Sequence, residues 1–164
     1  MPPPLRAAGR LGVSYRRMVD ADLPFIATLY ASTRREEVAM TGWPAETQTA
    51  FLLQQHQAQH HHYSLHYGDA EWLIIESGGD AIGRLYFNEE PEHLHVIDIS
   101  LLPESRGAGI GGAILGDILE LARESGKAVM IHVEKNNPAR RLYQRLGFEV
   151  IADRGVYDLM QARP

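Results

Sequence analysis

Apolar residues change their period several times along the chain, and each change marks an element. The opening run "MPPPLRAAGR" is rich in proline and small residues and reads as a flexible tail over residues 1–12, with folding from Val13 onward. "VSYRRM" reads as a short strand. In "VDADLPFIATLYAST" the apolar positions Leu23, Ile26, Ala27, Leu29 and Tyr30 recur at helical spacing behind Asp20 or Asp22, either of which suits a cap. A polar link, "RREEVAMTGW", then leads to Pro44, which opens a second helix through "AETQTAFLLQQHQAQ". "EWLIIES" and "AIGRLYFNEE" are β-rich runs around Gly78, Gly79 and Asp80 and predict a hairpin over 71–90. "HLHVIDISLL" predicts a further strand over 93–102.

Ile114, Leu115, Ile118, Leu119 and Leu121 carry a helix that ends near Gly126. "AVMIHVE" is a strand of the buried type, "PARRLYQRLG" a short helix from Pro138 to Gly147, and "FEVIA" with "GVYDLMQ" a closing strand pair. The order β-α-α-β-β-β-α-β-α-β-β describes an α/β (α+β) chain. It shows no internal repeat and no composition break, so residues 13–164 form one domain.

Composition narrows the function classes. A chain of 164 residues, 45% apolar and 23% charged, is long enough for one core. Its net charge of −5 excludes a general nucleic-acid binder, which needs clustered cations against phosphates. Apolar runs such as "AVMI" are far shorter than the ~20 residues that span a bilayer, and no charged-then-apolar leader opens the chain. No membrane association and a cytoplasmic location are therefore expected, and a homodimer is compatible with the composition. The absence of cysteine excludes disulfides and thiolate zinc sites. The biased segment "HQAQHHHYSLHY" could hold a metal, but its histidines lack acidic or cysteine partners and read as solvated surface; no metal is expected.

The stretch "LLPESRGAGIGGAILGDIL" concentrates five glycines, at 107, 109, 111, 112 and 116, between a strand and a helix. A triphosphate loop needs Lys-Ser/Thr after its last glycine, and none follows. Gly107, Gly109 and Gly112 match the dinucleotide fingerprint letter for letter, with Glu134 downstream for a ribose. Residues 103–106, however, separate those glycines from the strand, and too little chain remains for the expected domain. The third pattern, Arg106, Gly109 and Gly111 between strand and helix, fits the context. In it, "ISLLPESRGAGIGGAIL" resembles the acyl-CoA-binding motif of the GNAT superfamily of N-acetyltransferases, and "NNPARRLYQRLGF" resembles that superfamily's second motif.

The resemblance implies a mixed, mostly antiparallel sheet of about seven strands flanked by four helices, with the fourth strand bulged near Leu101 and Leu102 and splayed from the fifth near 132–134. It implies acetyl-CoA as cosubstrate. Amides at a helix start lack intrahelical partners, and glycines let backbone close on a pyrophosphate. The amides of Arg106, Gly107, Ala108, Gly109, Ile110, Gly111 and Gly112 are thereby implied as the pyrophosphate cradle. Backbone groups of Leu101 and Leu102 are implied for the pantetheine arm, with Asn137 or Asn136 as its anchor. Arg140, Arg141 or Arg145 could meet the nucleotide phosphate.

Tyr143 matches the family's proton donor to the departing sulfur. With a tyrosine pKa of ~10 against ~8.5 for a thiol, full transfer is uphill by ~2 kcal/mol, while a donated hydrogen bond still assists. His95 falls where some members carry a glutamate base, and Asp98 and Glu134 are further candidates. A histidine near pKa ~6.5 can accept a proton at neutral pH. A lysine-type amine of pKa ~10.4 costs ~4.6 kcal/mol to neutralise at pH 7, an α-amine near ~7.8 only ~1. Arg34, Arg35, Glu36, Glu37 and Trp43 lie where an acceptor is bound. The leading expectation is acetyl transfer from acetyl-CoA to a primary amine of a small molecule, protein or peptide. The alternative is a non-catalytic acyl-CoA-binding or sensing module on the same fold.

Overall fold

The computed structural model describes Met1–Pro164. Its elements are α1 (Ala7–Arg10), β1 (Val13–Arg17), α2 (Leu23–Ala39), α3 (Ala45–His66), β2 (Glu71–Ser77), β3 (Asp80–Glu89), β4 (His93–Leu101), α4 (Ile110–Ser125), β5 (Ala128–Glu134), α5 (Arg140–Arg145), β6 (Glu149–Arg154) and β7 (Tyr157–Ala162). Tight 3-10 turns precede α2 and follow β4. The strands form one sheet in the order β1-β2-β3-β4-β5-β7-β6, antiparallel throughout except for the parallel pair β4–β5.

Alternation along the strands sorts the core into two layers. Leu73, Ile75, Leu85, Phe87, Leu94, Val96, Val129 and Ile131 pack against Ile114, Leu115 and Ile118 of α4. Ile74 and Tyr86 face the other way, where Ile26 and Leu29 of α2 are equally buried. Helices α1, α4 and α5 thus cover one face, and α2 with α3 the other.

The parallel pair is short. It runs only from His93 opposite Ala128 to Val96 opposite Ile131, after which Ile97–Leu101 and residues 132–134 have no partner across the gap. This is the expected splay. The bulge falls elsewhere than expected: Asp98 opposes Tyr86 and Val96 opposes Phe87, so Ile97 is the extra residue. Leu101, by contrast, sits in regular register with Gly83, and the Leu102 amide donates to Ile82 O at 2.8 Å. Gly83 allows that close approach, because a Cβ there would lie 2.2 Å from Ser100 O and 2.8 Å from Leu101 Cδ2. Gly83→Ala is expected to cost about 1–3 kcal/mol and to loosen the end of β4, read as a lowered denaturant midpoint and faster amide exchange at Leu102.

Three differences from the sequence reading concern how far elements extend. "RREEVA" continues α2 instead of forming a link, and α3 runs through the histidine-rich segment to His66. Arg, Glu, Gln and Ala favour helix, and the chain meets no strong breaker before Gly42 and Gly68. The opening segment is docked. Ala8 has no accessible surface, and the buried Asp117 carboxylate of α4 accepts from the amides of Arg6, Ala7 and Ala8 at 3.0, 2.9 and 3.1 Å. These amides start a helix and would otherwise lack partners. Asp117→Ala is expected to release residues 1–12, costing about 1–3 kcal/mol, with limited proteolysis at Arg6 or Arg10 as the readout.

Candidate active site

The glycine loop leaves β4 through the turn Pro103–Ser105 and enters α4. Gly107 and Gly109 have φ of +78° and +82°, the left-handed region that side chains disfavour, and Gly109 caps the helix. The first helical bond closes from Ala113 N to Gly109 O at 3.0 Å, and the amides from Gly107 to Gly112 donate to no protein acceptor. Six successive donors at the positive end of a 16-residue helix form an anion cradle. Arg106 stands outside it. Its amide donates to Pro103 O at 3.2 Å and its Nε to Leu101 O at 2.9 Å.

The gap between β4 and β5 begins beside this cradle. With Leu102 bonded to β3, ladder alternation turns the backbone groups of Leu101 away from β3 and toward the gap. Leu102 is fully engaged, its carbonyl accepting from Ser105 N at 2.9 Å. The two asparagines differ. Asn136 donates from Nδ2 to Glu37 Oε1 at 3.2 Å, whereas Asn137 accepts the Ala139 amide on Oδ1 at 2.8 Å and keeps its Nδ2 free of protein partners. Arg140 is held to Asp158 at 2.8 Å.

Tyr143 projects from α5 into the core beside Phe148, nearly edge-on at 6.1 Å. Its hydroxyl has no protein partner and keeps contact with solvent. Burial, then the negative charge of Asp98, pushes its pKa up to about 12. Full transfer of its proton to a thiolate near pKa ~8.5 is thus uphill by about 5 kcal/mol. A hydroxyl so perturbed is a hydrogen-bond donor rather than a source of protons.

The three base candidates separate clearly. Asp98 accepts from Arg84 Nη2 at 2.7 Å, Tyr63 hydroxyl at 2.9 Å and Ser100 Oγ at 2.9 Å. Glu134 is gripped by both terminal nitrogens of Arg34. His95 is buried on the α3 side of β4, edge-on to Tyr67 and 5.5 Å from the ring of His132. Burial lowers its pKa, against the opposing pull of Glu90, whose Oε1 lies 3.5 Å from Nδ1. The net effect favours its neutral form. It lines a cavity of about 230 Å³ with Tyr67, Glu90, His93, His132 and Arg154. A larger cleft of about 410 Å³, between α2 and α3, contains none of the loop residues.

The reading of residues one by one missed Arg84, Tyr63 and His132. Arg84 carried a signal: one charged residue inside the apolar run "AIGRLYF" must find a partner when buried, and it also reaches Gln59 Oε1 at 2.7 Å. Arg34 sits on α2 rather than in a link, and its pairing with Glu134 joins α2 to the mouth of the gap.

A sheet whose central parallel strands part beside a row of unpaired helix-start amides is the architecture of acyl-CoA-dependent acetyltransferases. The chain belongs to the acetyltransferase (GNAT) family, whose model matches residues 29–148. It is 34% identical over 86 residues to glucosamine 6-phosphate N-acetyltransferase of Trypanosoma brucei brucei, covering 49% of each chain. It is 32% identical over 63 residues to the ribosomal protein bS18 alanine N-acetyltransferase of Haemophilus influenzae, covering 38% of this chain and 43% of that one. The chain spans about half the length of the curated relatives it matches. Among solved structures, PaiA N-acetyltransferase of Thermoplasma acidophilum in complex with coenzyme A superposes with a TM-score of 0.66 at 15% identity, covering 93% of this chain and 99% of that one. Arabidopsis thaliana Naa50 with a bisubstrate analogue gives 0.60 at 16% identity, covering 92% and 97%. At such identities the structures show a shared fold.

Proposed function

We propose that the protein transfers an acetyl group from acetyl-CoA to a primary amine of a small molecule, protein or peptide. The observation that carries this reading is the run of six unpartnered amides from Gly107 to Gly112, at the head of α4 and beside the parting of β4 and β5. In this reading those amides hold the pyrophosphate, and the Leu101 amide and Asn137 Nδ2 bind the pantetheine arm. Tyr143 donates a hydrogen bond to the sulfur, and His95 belongs to the machinery that removes the amine proton. Arg106 contributes by holding the end of β4. Leu102, with both backbone groups engaged, acts as part of the loop's frame.

Acetyl-CoA is an intracellular metabolite, so we place the reaction in the cytoplasm. The exposed Val150 and Ile151 on edge strand β6 support a homodimer, which sedentation by analytical ultracentrifugation would detect. The function itself is tested by release of free thiol from acetyl-CoA with a panel of α-amines, lysyl peptides and amino sugars. Amine-dependent release supports the reading. Cofactor binding without turnover across the panel contradicts it.

A further inference from the structure

On the side of the sheet that α2 and α3 cover, the open end of the gap is bridged by an ion pair. Val129, Ile131 and Val133 of β5 pack into the core beneath α4, so alternation sends Glu134 to the opposite side. There, three residues beyond the last β4–β5 pair, both its oxygens accept from the terminal nitrogens of Arg34 on α2. The Arg34 and Glu134 side chains keep 23% and 15% of their surface, so an incoming molecule can meet them. Tyrosines flank the pair. Arg34 Cζ lies 5.7 Å from the centre of the Tyr30 ring, and Tyr157 of β7 stands directly opposite Glu134 and is 40% exposed. The neighbouring carboxylates are engaged otherwise: Asp98 by Arg84, Tyr63 and Ser100, and Glu37 by Asn136 Nδ2 at 3.2 Å.

Resting on the acetyl-transfer reading, we infer that the acceptor is an amino acid, whose carboxylate replaces Glu134 on the Arg34 guanidinium while its ammonium replaces Arg34 on Glu134. A guanidinium binds a carboxylate through two parallel bonds, and the ligand's carboxylate reproduces that geometry. The exchange conserves charge pairing only if one small molecule brings both charges. A plain amine leaves Arg34 unpaired and a plain acid leaves Glu134 unpaired, and an uncompensated charge in a largely enclosed site is unfavourable. In an α-amino acid one carbon separates the two groups, which suits two receptors that already touch.

Acetylation reverses the exchange. The amine nitrogen, once neutral, bonds to the thioester carbon, and the carbon–sulfur bond breaks with the electron pair leaving on sulfur. Of the three ammonium hydrogens one stays on nitrogen, one is released to solvent and one ends on the CoA thiol. The product keeps its carboxylate and has lost its positive charge. Glu134 is then without a partner, and re-forming its pair with Arg34 displaces the N-acetylated product.

The test measures kcat/KM with each common amino acid, its carboxamide and its decarboxylated amine. Wild type is expected to favour one or more amino acids over the analogues lacking a carboxylate by about 10-fold or more. In Arg34→Gln that preference is expected to collapse, through a raised KM for the amino acid and a smaller change for the carboxamide. Arg34→Lys, which keeps the charge without the fork, falls between. Comparing the ratio across variants cancels the intrinsic reactivity of each amine. In Glu134→Gln the N-acetylated amino acid is expected to inhibit about 10-fold more strongly than in wild type, because no carboxylate reclaims Arg34. A merely structural ion pair would lower the melting temperature of these variants and move neither the ratio nor the inhibition. That outcome overturns the inference, as does wild type that prefers carboxamides, plain amines or amino sugars, and either leaves acetyl transfer standing. No turnover with any amine overturns both.

Discussion

Gly109→Val is expected to weaken acetyl-CoA binding by two orders of magnitude or more. Gly109 has φ +82° and caps α4 with its carbonyl bonded to Ala113 N. Open space surrounds the position, so the variant meets no clash; its effect is on conformation alone. A β-branched residue leaves the left-handed region, turning the Gly109 and Ile110 amides out of the cradle. Hydrogen bonds to a charged group contribute about 1.5–3 kcal/mol each, so losing two removes about 3–6 kcal/mol, or at least 10²-fold in affinity. Gly116→Ala is the control. It lies in the same helix with nothing within 4 Å of an added Cβ, and it should leave affinity unchanged while stabilising the helix by about 0.5–1 kcal/mol. Titration calorimetry with acetyl-CoA and thermal melting read both.

Tyr143→Phe is expected to lower kcat by about 10²–10³ with little change in acetyl-CoA affinity. The ring is packed against Phe148 and the core, and phenylalanine preserves that packing. Its hydroxyl bonds to nothing in the protein, so its removal orphans no protein group. In the proposed reaction, what disappears is a donor to the charge that develops on sulfur only as the bond breaks. Because the tyrosine pKa is pushed up to about 12, wild type should show no loss of rate from Tyr143 ionisation below about pH 11. An equal loss in kcat and in acetyl-CoA affinity would instead mean that Tyr143 acts in binding.

What could be read from the sequence was the part encoded locally. The glycine loop, the hairpin around Gly78 and Gly79, and the helix ending at Gly147 each carry their own punctuation, and the structure bears out all seven strands. Long-range partners left no such trace. Nothing near Ala8 announces that Asp117, more than a hundred residues away, will cap its helix. The bulge at Ile97 depends on how β4 meets β3, which neither strand specifies alone. The histidine-rich segment was ambiguous because histidine tolerates both helix and surface. Its place on α3 buries His56 against Tyr30 while leaving His62 and His66 outside. The site divides in the same way: the cradle was visible as a motif, while the commitment of Asp98 to Arg84 and of Glu134 to Arg34 emerges only from folding.

The acyl-CoA site is tested most directly by a crystal structure with acetyl-CoA bound. Pyrophosphate oxygens are expected within hydrogen-bond reach of the Gly107–Gly112 amides, the pantetheine arm between β4 and β5, and the sulfur beside the Tyr143 hydroxyl. A cofactor bound elsewhere, with those amides facing only water, would contradict it.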